Sequence, residues 1–392
     1  MRESPERYCT RRPPMPNTPV FDIAVIGAGI AGASVAYRLS GARSVILLER
    51  ESQPGYHTTG RSAAMFIESY GPPAVRALTR ASRAFYLAPP AGFAETALLS
   101  ARGALYLARR EQITQLTQEF AQLCTTCPGL TRLDHGETMA LVACLRPEVV
   151  GASMLDTDSM DIDVNSLHQG FLRGLKRSGG ELRNKAEVVG ARRAGAAWEI
   201  SLADGRTVRA GTVVNAAGAW ADQIGALFGA RHIGLVPHRR TAFTFAAPAG
   251  VDSANWPVVS GIDESYYFKP EAGAMLGSPA NADPMHPHDV VPEELDVATG
   301  IHHIEANTTM TIRRPIRAWA GLRSFVPDGE MVIGWDGRCE GFFWLAGQGG
   351  YGIQSAPGAS ELAASLLLAR KLPEELARQG VAVEALSPLR FE

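Results

Sequence analysis

The sequence predicts a mixed α/β (α+β) fold. A Rossmann-like dinucleotide-binding domain is assembled from separated segments, and a substrate domain built on an antiparallel sheet is inserted between them. Three observations carry this expectation. Apolar strands run into small-residue turns at three distant places, Gly27–Gly32, Asn215–Trp220 and Gly347–Gln354, and such turns meet at one ligand only if one domain gathers several stretches of chain. The segments near 80–150 and 240–310 contain alternating or aromatic strand candidates instead. At 392 residues the chain also exceeds the usual size of a single hydrophobic core.

In chain order, Phe21–Ile26 reads as a buried strand, the glycine turn follows, Ala33–Ser40 begins a helix, and Val45–Leu48 is the next strand. This is a βαβ unit. Ala104–Leu107, Ala242–Phe245 and Ser265–Lys269 are strand candidates of the inserted domain, which a helix such as Thr114–Leu123 could cover. Thr212–Val214 and Phe342–Ala346 are the strands that enter the second and third turns, and a helix is expected over Ser360–Arg370. The resulting division gives residues 19–80, 151–238 and 312–392 to the dinucleotide domain and residues 81–150 and 239–311 to the substrate domain. Residues 1–18, polar and Pro-rich, are expected to be a disordered leader, with Met15 an alternative start.

The first turn carries the chemistry. In Gly27-Ala28-Gly29-Ile30-Ala31-Gly32 the first glycine permits the tight turn, the second lets a pyrophosphate approach the backbone, and the third lets helix pack on strand. The phosphates then meet free N–H groups at a helix N-terminus. Glu49 ends the next strand, where a ribose hydroxyl acceptor belongs, and it disfavours a 2′-phosphate. NAD and FAD share this fingerprint. Small, flexible residues from Gly55 to Ala64 follow it, where the chain would pass close to a flat, extended ligand.

The stretches PGYHTTGRSAA, DIDVNSLHQGFLRG, VVNAAGAWAD, GSPANADP, WAGLRSF and QGGYGIQ, spread from about residue 20 to residue 390, resemble the FAD-dependent D-amino-acid oxidase (DAO) superfamily and, within it, the bacterial D-arginine dehydrogenases. The resemblance implies noncovalent FAD and hydride transfer from Cα of an amino acid to flavin N5. The imine would hydrolyse to a 2-oxo acid and ammonia. Besides Gly27, Gly29, Ala31, Gly32 and Glu49, it places Arg50, Thr58, Thr59, Gly60, Arg61, Ser62, Ala63, Ala64 and Met65 along the cofactor, with Val188 at the adenine. Ala217, Gly218 and Trp220 of the second turn and Gly349, Gly350, Tyr351, Gly352, Ile353 and Gln354 of the third complete the set. The helix after the third turn would lend positive potential to the flavin.

For the substrate, the resemblance places a carboxylate clamp on Arg239 and Arg323, hydroxyl contacts on Tyr70 and Tyr267, and a backbone carbonyl for the amine on Gly350. Arginine suits the clamp because its planar fork pairs bidentately with a carboxylate. Arg240 neighbours Arg239 and Tyr266 neighbours Tyr267, and on a strand only one of each pair faces the site. Two positions depart from the dehydrogenase pattern. Met65 stands where that pattern has a histidine, and Ala104 where it has the glutamate that holds a guanidinium. Neutral D-amino acids such as D-leucine, D-methionine or D-phenylalanine are therefore expected to outperform D-arginine unless Glu68 compensates. The alternatives are a glycine- or sarcosine-type amine oxidase or demethylase, and a low-activity flavin-binding subunit of a complex. The electron acceptor is left open, with a quinone or a dye expected from the resemblance.

Other classes are disfavoured. A net charge of −2 without Lys/Arg runs gives no pull toward nucleic acid or anionic lipid. No apolar stretch is long enough to span a bilayer and no signal peptide is recognisable, so a cytoplasmic location is expected. Five cysteines, an odd number, argue for reduced thiols, and Cys124-Thr-Thr-Cys127 stands without a second pair. His286, His288, His302 and His303 show no metal-ligand spacing, so no metal is expected.

Overall fold

The structure, a computed structural model, describes residues 20–391; the proposed leader lies outside the described residues. An eight-stranded sheet forms the first layer. Val20–Ile26 lies at its centre, parallel to both Val45–Leu48 and Thr207–Asn215, and Phe342–Ala346 runs parallel to Thr207–Asn215. The strand Phe342–Ala346 is buried at every residue, as its unbroken apolar run requires of a strand covered on both faces. All three turns therefore leave the same end of adjacent parallel strands, and this is how segments more than a hundred residues apart meet.

A nine-stranded sheet, mostly antiparallel, forms the second unit, and a small three-stranded sheet made by Met65–Phe66, Leu99–Ala101 and Met160–Ile162 joins the two. The strand candidates of the inserted domain appear as Ala104–Ala108, Val236–Ala246 and Tyr267–Glu271, and the covering helix as Ile113–Leu123. Two segments differ from the expected division. Arg317–Phe325 pairs along its whole length with Val236–Ala246, and Ala152–Asp156 pairs with Ala104–Ala108, so both lie in the nine-stranded sheet. Residue patterning identifies a strand but not its partner, which is why the boundaries at 151 and 312 fell short.

The last helix also departs from expectation. It runs Gly352–Leu367 and so begins at the third turn itself, with Pro357 inside it. Proline breaks helices by removing a donor, and Pro357 with Gly358 hid the first two turns. Their cost is offset by packing: a Cβ at Gly358 would lie 2.6 Å from the Leu78 carbonyl oxygen of helix Pro73–Leu87, an approach that only glycine allows. Among the described residues no helix is long and apolar enough to cross a membrane. Cys124, Cys127, Cys144 and Cys339 are free thiols.

Candidate active site

One cavity of about 430 Å³ is lined by residues of all three turns and by the nine-stranded sheet. At the first turn, Gly27 has φ 96°, and a Cβ there would lie 2.5 Å from the carbonyl oxygen of Ala216 in the second turn. Glycine thus lets two turns close on each other. The helix Ile30–Ser40 starts at Gly29, which has no side chain to cap it; the Thr59 hydroxyl instead accepts the Ile30 N–H at 3.0 Å. The Glu49 carboxylate, 7% exposed, accepts the N–H groups of Ala28 (2.9 Å) and Glu51 (3.0 Å) and still lines the cavity. Two lone-pair sites remain for a ribose hydroxyl.

Ala31, Arg50, Thr58, Thr59, Arg61, Ser62 and Ala63 line the same cavity, as do Val188, Ala217, Gly218 and Trp220. Arg50 lies over the Trp220 ring at 4.8 Å, and His57, which the sequence did not reveal, packs on its indole at 4.7 Å. The segment is clasped to the nine-stranded sheet. Thr58 Oγ1 donates to the Leu322 carbonyl at 2.7 Å, Trp319 Nε1 donates to the Arg61 carbonyl at 2.9 Å, and Arg61 pairs with Asp289. Gly349, Gly350, Gly352 and Ile353 of the third turn complete the wall.

At the end of the cavity formed by the nine-stranded sheet, Arg323 and Tyr267 are part of the wall; Tyr70, expected beside them, is not, and its hydroxyl accepts from Arg323 Nη1 at 3.1 Å. Tyr266 is buried in the core. A Cβ at Gly350 would lie 2.8 Å from Arg323 Nη1, so the third turn closes directly over the guanidinium. The arginine of Val236–Ala246 that lines the cavity is Arg240, not the expected Arg239. Along Val236–Ala246 side chains alternate, and Arg239 and Thr241 both turn away from the cavity to Asp296. Arg239 is consumed there by Asp296 at 2.8 Å, Asp283 at 3.4 Å and Glu293. Arg240 faces the cavity and donates Nε to the Asn281 carbonyl at 2.6 Å.

Among the described residues neither Arg240 nor Arg323 is paired with a carboxylate. Enclosure and the like charge of Arg323 push the Arg240 pKa down to about 10, which leaves it charged at neutral pH. An anion placed between the two would relieve this. Burial pushes the phenols of Tyr106 and Tyr351 up, so both remain neutral donors. Glu264, held with φ 54° in the turn before Tyr267–Glu271, is an acid whose field reaches Arg240, Tyr106 and Tyr351 alike. Replacing Glu264 by glutamine should tighten a non-oxidisable carboxylate ligand about two- to five-fold, read as the ligand-induced shift of the flavin spectrum.

Several expected contacts act at one remove. Gly32, Gly60 and Ala64 are not part of the cavity wall, and Met65 pairs with Asp161 in the three-stranded sheet. Tyr351 packs its ring on Tyr70 at 5.0 Å. Gln354, 3% exposed, does not reach the cavity; its amide accepts from Ile67 N–H (3.3 Å) and donates to the Tyr70 carbonyl (3.4 Å) and Thr79 Oγ1 (3.1 Å). It braces the segment that presents Tyr70. Gln354→Leu should raise KM while FAD content stays unchanged, with stability lowered by about 1–3 kcal/mol in thermal or urea unfolding. Glu68 is not part of the cavity wall, and Arg83 holds its carboxylate at 2.7 Å. Across the ladder from Ala104 stands Asp156, 2% exposed, which accepts the Ser69 hydroxyl at 3.0 Å. No group of three or more His, Cys, Asp or Glu residues suited to a metal occurs among the described residues.

With this cradle and cavity, the chain belongs to the FAD dependent oxidoreductase (DAO) family, whose sequence profile matches residues 22–366. Its cofactor is FAD, and the glycine turn, Glu49 and the trans-capped helix start fit that group. Among curated proteins, mitochondrial dimethylglycine dehydrogenase of Rattus norvegicus is 23% identical over 386 residues, covering 91% of this chain and 44% of the relative. The chain therefore spans under half the length of that relative. Among solved structures, glycine oxidase from Geobacillus kaustophilus superposes with TM-score 0.79 at 20% identity, covering 92% of this chain and 98% of that one. Iminodiacetate oxidase from Chelativorans sp. BNC1 gives TM-score 0.79 at 24% identity, with 93% and 98% covered.

Proposed function

We propose that the protein oxidises the α-amine of a small D-amino acid and prefers neutral or apolar side chains over D-arginine. The observation that carries this reading is the carboxylate-free pair Arg240 and Arg323, which line the cavity that holds the dinucleotide cradle together with Tyr267, Arg323 being held from behind by the Tyr70 hydroxyl. Two unpaired guanidinium groups in one enclosed site need an anion, and an α-carboxylate offers both with bidentate acceptors. With the carboxylate fixed there, the Gly350 carbonyl can take the amine. Cα then loses hydride with its electron pair, nitrogen loses a proton, and water hydrolyses the imine to the 2-oxo acid and ammonia. Bound FAD supplies the two-electron acceptor for that step, and a quinone is the proposed reoxidant.

The preference for neutral side chains rests on Ala104, on Met65 and on the engagement of Glu68 by Arg83, which leave no expected partner for a guanidinium. The D configuration rests on the family resemblance. Anaerobic mixing of the holoenzyme with D- and L-amino acids, followed by loss of flavin absorbance, tests both. D-Leucine, D-methionine or D-phenylalanine should bleach the flavin faster than D-arginine, and a panel in which D-arginine has the highest kcat/KM would sink the preference. A second reading, oxidation of glycine or an N-methylated glycine, is supported by the similarity to dimethylglycine dehydrogenase and glycine oxidase. Bleaching by glycine or N-methylglycine alone would select it.

A further inference from the structure

The stretch Asp161–Gly170 has no role in the site as described, yet it places a histidine beneath it. His168, on helix Val164–Arg177, is 4% exposed. Its Nε2 lies 2.9 Å from the carbonyl oxygen of Ala28. On its other side, a Cβ added at Gly55 would lie 2.9 Å from His168 Cε1 and 3.2 Å from Nδ1. One imidazole therefore touches both stretches that form the first wall of the cavity, the glycine turn and the Gly55–Ala63 segment. Burial lowers its pKa, so the ring is neutral and Nε2–H donates to the carbonyl.

The consequence follows from peptide planarity. The carbonyl of Ala28 and the N–H of Gly29 belong to one planar trans unit and point in opposite directions. Drawing the carbonyl back toward His168 turns the Gly29 N–H the other way, and Gly29 lines the cavity. The preceding unit is fixed too, because Glu49 takes the Ala28 N–H. The Gly55 loop rests on the other edge of the ring and closes on itself through Gly60 N–H to Gly55 O at 2.8 Å. From there Thr59 caps the same helix start.

We propose that His168 is a positioning residue for the cofactor pyrophosphate: it orients the Gly29 N–H through the Ala28 carbonyl and sets the height of the Gly55 loop. This depends on the FAD cradle and is independent of which amine is oxidised.

The test is titration of apoprotein with FAD and, by competition, with ADP and adenosine. His168→Leu should weaken FAD and ADP about ten-fold, as loss of one buried hydrogen bond implies, and leave adenosine unchanged; His168→Gln, which keeps an N–H donor, should recover most of the affinity. Gly55→Ala should cost less affinity in a His168→Ala background than in the wild-type protein, since its clash partner is gone. Wild-type FAD affinity in His168→Leu, an equal loss for adenosine, or no recovery in His168→Gln would overturn the proposal. Should His168→Leu not fold, His168→Gln and His168→Asn decide, because the shorter amide falls short of Ala28; equal affinities would again overturn it.

Discussion

Replacing Arg323 by methionine is expected to lower kcat/KM for the amino-acid substrate by roughly 30- to 5,000-fold. Removing one member of a buried, hydrogen-bonded charge pair costs about 2–5 kcal/mol, and 1.4 kcal/mol is a decade. Arg323 is placed to show the full effect. It touches Tyr70 and lies under Gly350, so its loss removes a positive charge from between the two groups proposed to hold the substrate. Arg240→Met should behave alike. Arg239→Met should not: that guanidinium serves Asp296, Asp283 and Glu293, and its removal leaves carboxylates facing one another. It is expected to lower stability with little change in KM for the molecules that fold. Rapid-reaction reduction of each variant, with thermal unfolding alongside, separates the outcomes. A large KM effect in Arg239→Met with none in Arg240→Met would reverse the assignment.

That contrast also shows where sequence reasoning runs out. Successive residues of a strand face opposite sides, so choosing between Arg239 and Arg240 requires the register, and register is set by Arg317–Phe325 and by the helix that carries Asp296. The glycine turn and Glu49 were legible because their spacing along the chain is itself the geometry. Asp156 was not legible beside Ala104, since cross-strand neighbours are distant in sequence. Gln354 had the right neighbours for a cofactor contact, but one helical turn carried it behind the wall to Tyr70. His168 lies in a stretch whose local pattern signals a family resemblance and no contact; only the fold brings it under Ala28. In each case the missing information was a contact between segments, which local patterning does not encode.

Replacing Gly32 by alanine should yield protein that purifies without flavin. A Cβ at Gly32 would lie 1.8 Å from the Gly27 carbonyl oxygen, far inside contact distance and against backbone that cannot swing aside. Helix Ile30–Ser40 would have to retreat from strand Val20–Ile26, and the turn between them is the one that receives the pyrophosphate. Overpacking costs typically about 1–3 kcal/mol, and if the turn absorbs it, FAD affinity falls up to about 100-fold. The ratio of flavin to protein absorbance after purification, then FAD titration, reads this directly; a wild-type ratio would mean that the turn tolerates displacement. The control is the same substitution at the other end of the same helix. Gly41, the C-cap, has φ −75° and nothing within 4 Å of an added Cβ. Gly41→Ala should keep full flavin content and gain about 0.4–1 kcal/mol by restricting the unfolded chain. A difference between two identical substitutions on one helix can then be assigned to the cradle rather than to helix propensity.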